Sequence, residues 1–128
     1  MKSLNLIGMA RKAGFLEPGE EPAKAAAMSR RARLLVVAAD AAGNTARRAV
    51  HFADIGHTKT ITLPYTKSQM GAMTGRESLS IAALTDTGLS HALLKSLESE
   101  HPGRYTDALA AFGKSKNADI SSKRRNSV

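Results

Sequence analysis

The chain has 128 residues, enough for one hydrophobic core but not two. Apolar residues make up 42 % of it and aromatics only 4 %, so a globular core must be built from aliphatic side chains and many alanines, whose small size demands close approach of helices and strands. Nineteen Lys and Arg against eleven Asp and Glu give a net charge of +8, and the absence of cysteine excludes disulfides, thiolate chemistry and cysteine-ligated zinc or iron–sulfur centres.

Leu6, Met9, Ala10 and Ala13 recur at helical spacing, which predicts an amphipathic helix over residues 3–13 with Gly14 at its end. Phe15-Leu16-Glu17 is a short extended piece, and Pro18-Gly19 breaks the chain. Glu20, Glu21 and Pro22 then suit the first turn of a second helix, where acids meet the positive dipole end and the missing proline N–H costs nothing. Ala23, Ala26 and Ala27 would form its buried face. Leu34 to Ala39 is an unbroken apolar run between Arg33 and Asp40, the pattern of a central strand covered on both sides. Ala42-Gly43-Asn44 is a turn whose Asn44 can cap a third helix carrying Ala46, Ala49, Val50 and Ala53. Thr60 to Leu63 alternates like a strand stopped by Pro64. Thr66 can cap a short helix through Met73, Ile81 to Leu84 is a second buried strand, and Asp86 or Thr87 can cap a last helix with Leu89, Ala92, Leu93 and Leu97.

Strands alternating with helices predict a three-layer α/β/α sandwich around a mostly parallel, mixed central sheet. The domain is expected over residues 1–100, followed by a short helical extension at 101–113 and a basic, disordered tail at 114–128 rich in Lys, Arg, Ser and Asn. Residues 101–128 hold six bases and two acids, so half of the net charge still belongs to residues 1–100. A domain that is basic in its own right attracts polyanions, chiefly nucleic acid, because each neutralised phosphate releases counterions. Met1 to Gly8 is too short and polar for a signal-peptide core, and no stretch approaches the ~18 apolar residues of a membrane span. A cytoplasmic protein without a membrane partner is expected.

No catalytic motif is present: there is no phosphate-binding P-loop, no G-x-G-x-x-G and no G-x-S-x-G. His51, His57, His91 and His101 lack metal-ligand spacing and are expected as surface or core histidines. Asp40 and Asp86 follow strands, where α/β enzymes place reactive groups, but no partner base or nucleophile accompanies them, and such residues ordinarily satisfy loops and helix N-termini. No catalytic residue, metal or cofactor is therefore assigned. The basic pairs Arg11-Lys12 and Arg30-Arg31 sit where helix C-termini favour positive charge, and Arg47-Arg48 falls within the third helix.

Several segments, in order, resemble one family. They are Leu4 to Gly14, Gly19-Glu20-Glu21, Ala32 to Ala41, Asn44-Thr45, Tyr65 to Gly71 and Ala82 to Asp86. Over residues 3–98 the chain resembles the ribosomal-protein L-seven-Ae type, most nearly its bacterial YlxQ-like members. That resemblance implies an α/β/α sandwich that binds structured RNA such as kink-turns, or ribosomal RNA on the ribosome, as a non-enzymatic monomer. It also implies contacts from the start of the second helix, the loop after the strand ending near Asp40, and the loop before the last strand. Those places are Gly19, Glu20, Glu21 and Lys24; Asp40; and Gly75, Arg76, Glu77 and Ser78. Arg11 and Lys12 are added because they flank the glycine turn. Kink-turn readers of the family carry Gly-x-Asn-Glu where this chain has Gly19-Glu20-Glu21-Pro22. A glutamate at 21 accepts hydrogen bonds but cannot also donate, and Pro22 brings no carboxylate, so a looser shape-and-phosphate mode is expected. Two alternatives stand beside this one. An accessory module of an RNA-modifying enzyme would need a catalytic domain of ~150 residues. A protein-interaction module of the same fold would more often be acidic.

Overall fold

The computed structural model describes residues 2–113; the basic tail expected at 114–128 lies outside them. In chain order the elements are α1 (Lys2–Lys12), β1 (Leu16–Pro18), α2 (Glu20–Met28), β2 (Leu34–Val37), α3 (Gly43–Ile55), β3 (Thr60–Thr62), α4 (Lys67–Met73), β4 (Ile81–Leu84) and α5 (Thr87–Glu100). A further helix, α6, covers residues 106–113.

The sheet has the order β1-β4-β2-β3. Strand β2 pairs with β3 in parallel, whereas β4 runs antiparallel to both β1 and β2. Strands β1, β2 and β3 thus share one direction, as consecutive β-α-β crossovers require. Because β4 is inserted between β1 and β2 in the opposite sense, only one of the three pairings is parallel. This is a smaller parallel share than helix–strand alternation suggests.

Alternation along the two central strands feeds two cores. Leu34 and Val36 of β2, with Ala82 and Leu84 of β4, face a cluster that includes Ile7 of α1, Met70 of α4, Leu93, Leu94 and Leu97 of α5, and Leu63 and Tyr65 from the segment between β3 and α4. Leu35 and Val37, with Ile81 and Ala83, face a second cluster dominated by Ala23, Ala26, Ala27, Ala49 and Ala53 of α2 and α3. The alanine face lets these helices close tightly: a Cβ added to Gly56 would stand 2.8 Å from the Ala27 carbonyl oxygen. Tyr105 and Phe112 join the first cluster, and the Tyr105 hydroxyl donates to the Thr62 carbonyl (2.7 Å), so residues 101–113 pack onto the α/β body.

Helix ends follow local chemistry. At the end of α1, Phe15 N–H donates to the Ala10 carbonyl (2.8 Å) and Gly14 N–H to Arg11 (3.1 Å), the two bonds of a Schellman motif. Thr66 and Gln69 form a reciprocal capping box on α4, and Asp86, not Thr87, caps α5 by accepting from Leu89 N–H (2.8 Å). Two expectations for α3 are corrected. The helix opens at Gly43 without a side-chain cap, and Asn44 accepts from the Arg47 guanidinium within the first turn instead. Val50 is 53 % exposed while Phe52 is buried, because the stripe set by Ala49 and Ala53 turns Val50 outward and Phe52 inward.

Candidate nucleic-acid interface

The antiparallel insertion of β4 gathers three chain segments at one end of the sheet. Gly19, just after β1, donates its N–H to the Ile81 carbonyl (2.8 Å) at the start of β4. The segment after β2 is tied to the same end by Ala38 N–H donating to Ser80 (2.9 Å) and by Lys67 N–H donating to Asp40 Oδ1 (2.7 Å). The loop at residues 74–80 leads directly into β4. Between them lies an open groove of about 240 Å³, lined by Gly19, Glu20, Thr45, Arg76, Ser78 and Ser80 together with Leu79 and Ile81.

The arginine loop is shaped by its glycines. Thr74 and Arg76 both donate backbone N–H groups to the Gly71 carbonyl (3.0 and 2.8 Å), with Gly75 between them at φ 70°, a left-handed backbone that glycine adopts without strain. The loop then folds back onto α4 so closely that a Cβ at Gly71 would stand 2.7 Å from the Arg76 carbonyl oxygen and 2.8 Å from Glu77 backbone atoms. Gly19 adopts φ 105° as the N-cap of α2. A Cβ on Gly19 would lie 3.8 Å from Arg76 Nη1, and one on Gly75 would lie 3.0 Å from Arg11 Nη2. Two guanidinium groups therefore stand over two glycine turns. Among the described residues neither Arg11 nor Arg76 forms an ion pair, whereas Glu20 is held by Arg48. The first N–H groups of α2, at Glu20 and Glu21, have no intrahelical acceptor and share that end of the helix.

The structure brings together Gly19, Glu20, Gly75, Arg76, Ser78 and Arg11 among the residues singled out from sequence. Asp40 serves α4 as a cap on Lys67 N–H rather than standing free over the groove. Lys12, Glu21 and Lys24 are exposed, and Glu77 is exposed with its backbone pressed on Gly71. Thr45, Ser80 and Arg48 belong to the site or brace it, and the sequence reading missed them. Thr45 alone carried a signal, as part of the Asn44-Thr45 match; Arg48 read only as one of a helical pair.

The histidines do not converge. His51 and His57 are exposed, the His91 ring stacks on Phe112 at 5.8 Å between centroids, and His101 lies edge-on to Tyr105. Among the described residues no group of three or more His, Cys, Asp or Glu could hold a metal ion, and no helix is long and apolar enough to cross a membrane.

The α/β/α sandwich has counterparts among solved structures. A protein of unknown function from Bacillus halodurans is similar with a TM-score of 0.69 at 22 % identity, over 76 % of this chain and 97 % of that one. The Giardia lamblia 15.5 kD RNA-binding protein is similar with a TM-score of 0.59 at 15 % identity, over 75 % and 84 % of the two chains. At these identities the likeness is one of fold. No protein-family model and no curated protein matches the chain.

Proposed function

We propose that this chain is a non-enzymatic, cytoplasmic RNA-binding protein of the L-seven-Ae type, akin to its YlxQ-like members, and that it holds structured RNA in the groove between Gly19 and Arg76. The observation that carries the reading is the pair of guanidinium groups, Arg11 and Arg76, standing unpaired over glycine turns beside the N-terminus of α2. Phosphates are bound by that combination of backbone N–H groups, helix dipole and fixed cations. The net positive charge and the RNA-binding activity of the Giardia neighbour support it. Ribosomal RNA is the candidate partner for the monomer, and no cofactor is needed for binding.

Glu21 and Pro22 argue for recognition by shape and phosphate more than by base edges. The test is binding, across a salt series, to a kink-turn RNA and to a plain duplex of equal length. Preference for the kink-turn by ~100-fold, about 2.7 kcal/mol, means structural readout by this groove. Equal and steeply salt-dependent binding means a charge-driven RNA binder. Neutralising Arg11, Lys12, Lys24 and Arg76 to Gln should weaken either mode by tenfold or more, about 1.4 kcal/mol. Unchanged affinity would remove this surface from the proposal.

A further inference from the structure

The end of the molecule opposite the groove carries a second group of cations that the proposed site does not use. Helix α2 runs from Gly19 away from the groove, and α3 lies alongside it, so both helices finish where β2 and β3 begin. The two loops at that end are stitched into one surface. Thr58 Oγ1 donates to the Arg33 carbonyl (2.7 Å), and Leu35 N–H donates to the Lys59 carbonyl (2.9 Å). Arg30, Arg31, Arg33, His57 and Lys59 are all exposed on it. The acids at that end are Glu17, which pairs with Arg31 at 3.4 Å, Asp54 in the last turn of α3, and Asp86, which caps α5 two residues beyond the Leu84 carbonyl that accepts from Arg33 N–H.

Helix dipoles alone do not account for this surface. Their effect falls off within the last turn, and neither α2 nor α3 has a base there: Arg30 and Arg31 follow the Ser29 C-cap, and Arg33 and Lys59 lie several residues beyond the helix ends. Arg30 and His57 also hold left-handed backbone, at φ 61° and 54°, in the positions where helices ordinarily place glycine. Both sites thus carry a basic side chain at a backbone cost of roughly 1 kcal/mol each. The nine residues of α2 separate the two ends by about 13 Å of helix.

We infer that the loop face formed by Arg30, Arg31, Arg33 and Lys59 is a second RNA-phosphate contact, taking a flanking segment of the same RNA that the groove binds. This rests on the RNA-binding proposal, and the experiment separates the two. The full chain and the variant Arg30→Gly/Arg31→Gln/Arg33→Gln/Lys59→Gln are titrated with a minimal kink-turn RNA and with the same RNA carrying long stems, across a salt series. A melting curve first shows that the variant is folded, which Arg30→Gly favours by relieving the left-handed arginine.

The expected result is tenfold or greater weakening on the long RNA, a salt slope shallower by at least about 2 units, and no change on the minimal RNA. Unchanged affinity and slope on the long RNA overturn the inference, and the exposed Met28 and Ile55 on this end then point to a protein partner instead. Equal loss on both RNAs also overturns it, since the face would then be the primary site. A wild-type chain that binds neither RNA defeats the proposed function itself.

Discussion

Gly71 and Gly8 offer a matched pair of glycine-to-alanine changes with opposite expected signs. Both sit inside helices, α4 and α1, where replacing glycine by alanine gains about 1 kcal/mol in helix propensity. At Gly8 the new methyl would meet the Met73 carbonyl oxygen at 3.5 Å and Met73 Cε at 3.9 Å, ordinary contact distances. Gly8→Ala should therefore stabilise the protein by nearly the full propensity gain and raise the melting temperature by about 4 °C. At Gly71 the methyl would stand within 2.8 Å of three backbone atoms of Arg76 and Glu77. Backbone cannot swing aside as a side-chain tip does, so the cost belongs in the upper half of the 1–3 kcal/mol range for overpacking. After the propensity gain, Gly71→Ala should lose about 1–2 kcal/mol. It should also lift the loop that holds Arg76 over Gly19, so RNA affinity should fall even at temperatures where the variant is fully folded. Urea denaturation of both variants, with RNA titration well below their midpoints, checks this. If Gly71→Ala proves as stable as Gly8→Ala, the tight approach of the arginine loop to α4 is wrong, and the groove built on it falls too.

Two further perturbations probe roles that the sequence leaves open. Asp40→Ala should cost about 1 kcal/mol by removing the acceptor for Lys67 N–H, while Asp40→Asn keeps an oxygen there and should be close to neutral; equal losses in the two would mean that charge, not capping, is what matters. Glu100 and Glu98 predict the acid limb of the stability curve. Burial pushes the Glu100 carboxyl up, but hydrogen bonds from the Ser3 side chain and backbone and from Tyr65, with His101 nearby, outweigh it and hold its pKa below the ordinary 4.5. For Glu98 the Thr106 hydroxyl leads, followed by the Tyr105 N–H and, against a small opposing burial effect, the Gly103 N–H; the direction is the same. A depressed carboxylate pKa means that the unfolded state binds more protons, so this stabilisation is complete above pH 4.5 and disappears as pH falls through the lower folded values. Melting curves of Glu98→Gln/Glu100→Gln from pH 6 to pH 3 should be flatter than those of the wild type. An identical acid limb would locate the loss in other groups.

What the sequence made legible was local. Gly14 ends α1, Thr66 caps α4 and Leu34 to Val37 form a strand buried on both faces, because each depends on residues within a turn or on an uninterrupted apolar run. The places where expectation failed depend on which of several possible contacts the folded chain makes, whether within one turn or across the fold. Asn44 is a good capping residue by type, yet Arg47 one turn on takes its side-chain oxygen. Gly56, on which the sequence offered no reading, closes α3 and by its lack of a side chain admits the approach to Ala27, while His57 takes the left-handed position. Gly71 carries no local signal of the loop folded over it.

The insertion of β4 is the step that no local pattern encodes, and it decides where the chemistry sits. Had β4 joined the sheet in parallel, its leading loop with Gly75 and Arg76 would open at the end where β2 begins, among Arg30, Arg31 and Arg33. Running antiparallel between β1 and β2, it brings that loop instead to Gly19 and the segment holding Asp40, where α2 presents its N-terminus. The antiparallel strand therefore assembles the groove and, by the same placement, leaves the cations at the far ends of α2 and α3 as a separate surface. A basic chain of this size could have spread its charge evenly. Here the topology places Arg11 and Arg76 at one end of the sheet and Arg30, Arg31, Arg33 and Lys59 at the other, so a bound RNA that reaches both must span the length of α2.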